Sequence, residues 1–275
     1  MDFLLESDNN GYLSQDTNTI RELIEAENEW NRGDPNNTEV PITFRTISYG
    51  ELIRSEPEVD QVTPIGSLRF CNAVGAMQGA KPVSAINVPA ALESYAGRKI
   101  FRYVGDERLK RLLSEYEGVV VKPADQPKRF DCVELHEREI ASFVAKNPPP
   151  YFVSEKIQQK IVAEWRVFFW NHRIVGLAPY CLDKWIAPNE DVCKEMLQAW
   201  TDAPVAGTLD VAILETGDNV VIEAHPLISC GLYGFERREL LSMHRAAWRE
   251  HVEKNQQRRF KDVKINNHNR YLFAC

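Results

Sequence analysis

Residues 208–225 read TLDVAILETGDNVVIEAH. Apolar, largely β-branched residues on either side of Thr216-Gly217-Asp218-Asn219 predict two strands, Thr208 to Leu214 and Val220 to Glu223, joined by a tight turn. Asp210 stands among Leu209, Val211 and Ala212, and Glu223 closes the second strand. Two acids converging in an apolar hairpin repel each other unless a cation lies between them. Mg²⁺ is typically held by one or two carboxylates plus substrate phosphates, so Asp210 and Glu223 are candidate metal ligands. The competing reading is one buried salt bridge each, to arginines elsewhere. His225 points to the same side as Glu223 if the strand runs on past Pro226.

Upstream, Val119-Val120-Val121 predicts a buried strand that ends on Lys122, whose ammonium at the sheet edge calls for an anion. The polar loop Asp125 to Phe130 carries Lys128 and Arg129 and suits phosphates, though it has no glycine to cradle them. Leu109, Leu112, Leu113 and Tyr116 predict a helix capped by Asp106 and closed by Gly118, and a second helix is expected over residues 133–146, stopped by Asn147 and three prolines. A β meander follows in the pattern, Tyr151 to Ile157, Val162 to Trp170 and Arg173 to Tyr180, the last two joined by Asn171-His172. Within it, Glu164 and Arg166 are two apart and share a face; Arg166 suits bidentate phosphate or carboxylate binding. Helices are expected at Asp191 to Trp200 and Glu236 to Lys254.

Toward the N-terminus, Phe3 to Glu6 predicts a strand. A Thr19-x-x-Glu22 capping box then opens a helix carrying Ile20, Leu23, Ile24 and Trp30. A polar turn cluster, Asn31 to Pro41, contains Gly33, Pro35, Asn36 and Asn37, and a strand is expected at Ile42 to Ile47. From Pro64 to Leu92 the pattern gives short helices and loops. Alternating strands and helices place the chain in the α/β and α+β classes.

Composition sets the limits. At ~150 residues per domain, 275 residues make one to two domains. A hydrophobic share of 44% with 14 Gly and 15 Pro excludes collagen-like order and wholesale disorder. Apolar runs such as Ile174 to Leu182 fall short of the ~18 residues that span a bilayer. The acidic start, Met-Asp-Phe-Leu-Leu-Glu, gives no basic leader, so a cytoplasmic protein is expected. Cysteines 71, 132, 181, 193, 230 and 275 form no Cys-x-x-Cys pair, so reduced, mostly buried thiols are expected. The net charge of −7 argues against a chain-wide nucleic-acid surface. Arg245, Arg249, Lys254, Arg258, Arg259, Lys261, Lys264 and Arg270 are interleaved with Glu250, Glu253 and Asp262, which reads as a solvated face. Nothing reads as a coiled coil or an interface helix.

Taken in order, several elements together resemble the ATP-grasp enzymes, in particular the bacterial and phage clade named for an arginine and two lysines. They are Gly97-Arg-Lys99-Ile, Val120-Val-Lys122-Pro, Lys128-Arg-Phe130, Val153-Ser-Glu155-Lys-Ile157, Glu164-Trp-Arg166, Leu209-Asp210-Val, Ile222-Glu223-Ala-His225-Pro and Gly231-Leu-Tyr-Gly234. The resemblance implies an α/β N-terminal (pre-ATP-grasp) domain followed by α+β ATP-grasp lobes with mixed or antiparallel sheets: residues 1–95, 96–157 and 158–275, the last ending in the C-terminal helix. It implies ATP and Mg²⁺. Lys99 and Lys122 would meet the phosphates, Lys128 would serve the covering loop, and Glu155, Lys156 and Ile157 would form the adenine hinge, with Glu164 beside the nucleotide. Asp210 and Glu223 would hold the metal. Arg166 would neutralise the transferring phosphoryl group or the carboxylate substrate. Family members usually have Asn where His225 stands; imidazole suits Mn²⁺ or Zn²⁺ better than Mg²⁺. Arg69, Arg173 and Tyr233 are candidate substrate contacts.

The implied reaction is an ATP-dependent ligation of a carboxylate to an amine, on small-molecule or peptide substrates, with no side-chain nucleophile. Asp210→Asn is expected to abolish turnover with the fold intact. The alternatives are a nucleotide-binding regulator without chemistry and a nucleic-acid-modifying enzyme that uses the basic tail. No Lys-x-Asp-Gly segment supports a nucleotidyl-lysine ligase.

Overall fold

Strand β1 (Phe3–Ser7) is followed by helix α1 (Gln15–Gly33), strand β2 (Phe44–Ser48), helix α2 (Tyr49–Ser55), strand β3 (Thr63–Ile65) and helix α3 (Leu68–Met77). The computed structural model describes residues 2–34 and 37–271 and, among these, every side chain except those of 182 and 256–271. The three strands form a parallel sheet in the order β2-β1-β3. Helix α1 starts one turn earlier than the Thr19 capping box predicts: the Ser14 hydroxyl accepts from the backbone N–H of Thr17 (3.2 Å), and Thr19 is buried inside the helix. Its last turn takes in Asn31 to Gly33, so the polar turn cluster begins only beyond it; Pro35 and Asn36 lie outside the described residues. Strand β3 is unexpected because it is three residues long and holds Pro64.

The chain continues through a 3-10 turn (Ala90–Tyr95), β4 (Ile100–Val104), α4 (Asp106–Glu115), β5 (Val119–Pro123), β6 (Val133–Leu135), α5 (Ile140–Lys146) and β7 (Tyr151–Ser154). These strands make an antiparallel sheet in the order β4-β7-β5-β6. Gly105, not Asp106, occupies the cap of α4; the Asp106 carboxylate instead accepts from the Tyr151 hydroxyl at 2.8 Å. The helix ends at Glu115, and Gly118 serves packing, since a Cβ there would lie 2.9 Å from the His136 ring. Residues 133–135 form a strand rather than the first turn of a helix, because pairing with Val119 to Val121 overrides their local pattern. The expected meander is also broken: β7 lies between β4 and β5, in a different sheet from the two strands that follow it.

That second sheet has the order β11-β10-β8-β9, from β8 (Ile161–Trp170), β9 (Arg173–Leu182), β10 (Ala206–Leu214) and β11 (Asn219–Pro226), with α6 (Glu190–Ala199) between β9 and β10. Asn171 and His172 both take positive φ (48° and 59°), as a two-residue hairpin turn requires. Leu209, Val211, Val221, Val167 and Phe169 share a core with Met196, Leu197 and Trp200 of the α6 region. Between Asp210 and Val211 the β10–β11 register steps, so that Asp210 faces Glu223 and Val211 faces Val221.

The last helix, α7 (Glu239–Tyr271), extends well beyond the expected Lys254. The chain divides into two compact units, one of Met1–Pro82 with Leu227–Cys275, the other Val83–Pro226. In the first, Trp248 of α7 donates its indole N–H to Gln78 (2.8 Å), and His244 is buried. In the second, residue 157 falls between the two sheets. The cysteines differ from expectation. Cys71 and Cys193 are buried, but Cys132 and Cys181 are exposed; Cys275 lies outside the described residues.

Candidate active site

Alternation along β10 sends Leu209 and Val211 into the core and Asp210 to the opposite face, where only 1% of its surface is exposed. Directly across on β8 stands Arg166, 4% exposed. Its guanidinium grips the Asp210 carboxylate with two parallel bonds, Nε to Oδ1 at 2.7 Å and Nη2 to Oδ2 at 2.6 Å. The Tyr180 ring of β9 covers the same guanidinium, its centroid 5.4 Å away.

Opposite Asp210 on the other flank lies Glu223. Lys122, at the end of β5, reaches it with its Nζ 2.5 Å from Oε2, and His225 Nε2 lies 3.0 Å from Oε1 and 3.8 Å from Asp210 Oδ2. Strand β11 therefore does continue through Pro226. Burial alone would raise the Glu223 pKa. The hydrogen bond from His225 and the Lys122 ammonium outweigh it and hold the carboxyl well below the usual range. Glu164 turns the other way: burial pushes its carboxyl up, Asp210 and Glu223 add to the rise, and the Cys181 thiol donates to it at 3.3 Å.

Asp210, Glu223 and His225 each offer a ligand atom, all within 4.8 Å of one another. Two carboxylates and an imidazole at that spacing fit a divalent cation, with Mn²⁺ better suited than Mg²⁺ to the imidazole. Each acid also has a cationic partner: Asp210 pairs with an arginine, Arg166, as the competing sequence reading expects, whereas Glu223 pairs with Lys122 rather than with an arginine. The ion pairs hold the two acids side by side.

The hinge candidates lie close by in sequence. Glu155 accepts from the backbone N–H of Lys99 (2.9 Å), returns its own N–H to the Lys99 carbonyl (3.0 Å), and lies 3.6 Å from the Lys99 ammonium. Lys156 pairs with Glu134 at 2.9 Å, and Ile157 packs against Ala212, Leu214 and Val220. Lys128 is exposed, with φ 58°. Arg173 is not drawn into the cluster. It sits at the turn end of the β8–β9 hairpin, five residues, or about 16 Å, along β9 from the Ala178 that faces Arg166. Arg69 and Tyr233 belong to the other unit; Arg69 lies over the Tyr49 ring at 4.7 Å, and Tyr233 is exposed with φ 50°. Of the basic tail, Arg245 pairs with Asp2 (3.2 Å) and Lys254 with Glu250 (2.8 Å), while the side chains of Arg258, Arg259, Lys261, Lys264 and Arg270 lie outside those described.

Sequence reasoning passed over Arg98, Tyr180 and Cys181. Tyr180 and Cys181 gave no signal, since the side that each presents depends on irregularities in the β8–β9 register between Glu164 and Trp165 and between Phe168 and Phe169. Arg98 was visible only as a neighbour of Lys99.

The antiparallel lobes and the acids on their strands define an ATP-grasp architecture. Residues 95–243, more than half of the chain, match the second family of ATP-grasp domains in the clade named for an arginine and two lysines, and the chain belongs to that family. No curated protein matches the sequence. Among solved structures, D-cycloserine synthetase DcsG is 14% identical, covering 91% of this chain and 100% of its own, with a TM-score of 0.54. A RimK domain ATP-grasp protein from Sphaerobacter thermophilus is also 14% identical, covering 91% and 98%, with a TM-score of 0.54. At that identity the likeness establishes the fold, an α/β domain with ATP-grasp lobes, as the sequence resemblance implies. No described helix is long and apolar enough to cross a membrane.

Proposed function

We propose that this protein is an ATP-dependent carboxylate–amine ligase. A substrate carboxylate oxygen attacks the γ-phosphorus of ATP and ADP leaves; an amine then attacks the acyl carbon, loses a proton and expels phosphate, leaving an amide. The observation that carries this reading is the convergence of Asp210, Glu223 and His225 with Lys122 and Arg166 on one face of a sheet in an ATP-grasp chain. Phosphoryl transfer depends on positioning and charge neutralisation rather than on a protein nucleophile, and this set provides both.

In this reading Lys99, Lys122 and Lys128 bind the phosphates, Lys128 from the covering loop, and Glu155, Lys156 and Ile157 line the adenine site with Glu164 nearby. Asp210 and Glu223, with His225, would hold Mg²⁺ or Mn²⁺, which when bound would screen the phosphate charge. Arg166 both anchors Asp210 and adds positive charge where the phosphoryl group moves. The carboxylate or amine substrate is a small molecule or a peptide, with Arg69 and Tyr233 proposed as its contacts; Arg173, at the turn end of its hairpin, is not given that role. The partition into residues 1–95, 96–157 and 158–275 and a cytoplasmic location complete the proposal. Calorimetry with a non-hydrolysable ATP analogue and Mg²⁺ tests it: binding by the wild-type chain, severely weakened by Lys122→Ala, is the expected result. A folded wild-type protein that binds no nucleotide would end the proposal.

A further inference from the structure

Strict alternation along β11 would send Glu223 and His225 the same way as Val221, which lies in the core beside Leu209 and Val211. They go the other way. The register with β10 pairs Val211 with Val221 and Asp210 with Glu223, and passes over Ile222. This one extra residue, a β-bulge, reverses the parity of the strand. Val220 and Ile222 pack beside Ala212 on the site's face, Ala224 returns to the core, and Glu223 and His225 come round to Asp210. Without the bulge, the metal ligands of β11 would point into the hydrophobic core.

A bulge has a cost, because backbone groups turned away from the ladder need other partners. β11 is the edge strand of its sheet, so β10 can serve only one side of it. Arg98 serves the other side at the bulge. Its Nη1 donates to the Val221 carbonyl at 2.9 Å and its Nη2 to the Ile222 carbonyl at 3.0 Å, while Nη1 also meets the Ala96 carbonyl at 2.8 Å. The planar fork spans two successive carbonyls, which a lysine ammonium on a flexible stem cannot do in a fixed geometry. Gly97, at φ 62°, lets the chain pass β11 closely; a Cβ there would lie 3.0 Å from Val220. Two residues further along the same edge, the Ala224 N–H donates to the Asn87 carbonyl at 2.7 Å.

We infer that Arg98 is a positioning residue whose guanidinium holds the β11 bulge and so fixes Glu223 and His225 opposite Asp210. The inference rests on the metal-site reading above, and one experiment separates the two. Free Mn²⁺ is followed by electron paramagnetic resonance in the presence of a non-hydrolysable ATP analogue. Wild-type protein should bind Mn²⁺, and Arg98→Lys and Arg98→Gln should weaken that binding about tenfold or more, the usual effect of losing a group that orients metal ligands. Arg238→Ala serves as the control. Arg238 clamps Glu27 through two bonds of 2.6 Å in the unit that does not contain β11, so its loss removes an arginine clamp and should leave Mn²⁺ affinity alone. Arg98 variants that fold and bind Mn²⁺ like the wild type would overturn the inference and leave the metal site standing. A wild-type protein that binds the analogue but no Mn²⁺ would overturn the site and the inference together.

Discussion

Asp210 shows how burial changes the meaning of a substitution. Asparagine there removes the charge that balances Arg166, which is almost fully enclosed. Breaking one side of such a pair costs about 3–5 kcal/mol. Asp210→Asn is therefore expected to lower Tm by many degrees as well as to abolish metal-dependent nucleotide binding; this amends the expectation, natural from the sequence alone, of an intact fold. Thermal melting beside calorimetry measures both effects. His244 gives a pH prediction of definite sign. Burial pulls its pKa down to about 4, and Nε2 has no partner among the described residues. Between about pH 6.5 and 4 the unfolded chain takes up a proton that the folded chain refuses, so stability is lost as pH falls through that window. His244→Gln should flatten the slope of denaturation midpoint against pH there, and an unchanged slope would assign the acid sensitivity to other groups.

Elements were legible in the sequence where local and tertiary signals agreed. Val119 to Val121, the Asn171-His172 hairpin and the acids of β10 and β11 all follow from β-branched runs and turn residues, and the structure places them accordingly. Legibility failed where pairing partners decide the outcome. Residues 133–135 are a strand only because β5 lies beside them, and β7 leaves the expected meander because β4 and β5 claim it. Capping failed for a different reason: Thr19 fits the motif, but Ser14 offers the same chemistry one turn earlier and opens a longer helix. Ser14→Ala should thus destabilise by about 1 kcal/mol, and Thr19→Ala should act through lost packing rather than through the cap. Urea midpoints of the two variants make the comparison. Within the candidate site the sequence offered the charged side chains of the cluster but not the bulge that aims two of them, since a bulge is a property of two strands together.

For the molecule as a whole, the charged cluster, comprising Lys122, Arg166, Asp210, Glu223 and His225, comes from the unit Val83–Pro226. A nucleotide held there at a hundred times its Kd would add about 2.7 kcal/mol of stability. Hydrogen exchange should show the protection concentrated in β5, β8, β10 and β11; protection confined to Met1–Pro82 would contradict the assignment. The net charge of −7 repels polyanions, so DNA and RNA should migrate unretarded in the presence of the protein even at low salt. A salt-sensitive gel shift would reopen a role for the basic end of α7.

The unpaired residue of β11 also sets a rule for how a gene encoding this fold can change length. In a library of single-codon insertions and deletions, lengthening the exposed turn at 215–218 should be tolerated, because both strands keep their frame. Removing the codon for Ile222, only a few positions away, takes out the unpaired residue itself, so Val221 stays opposite Val211 and Glu223 opposite Asp210 in plain alternation. Removing the codon for Ala224 instead would turn His225 from the site toward the core, so two lesions of equal size, two positions apart, would have opposite fates.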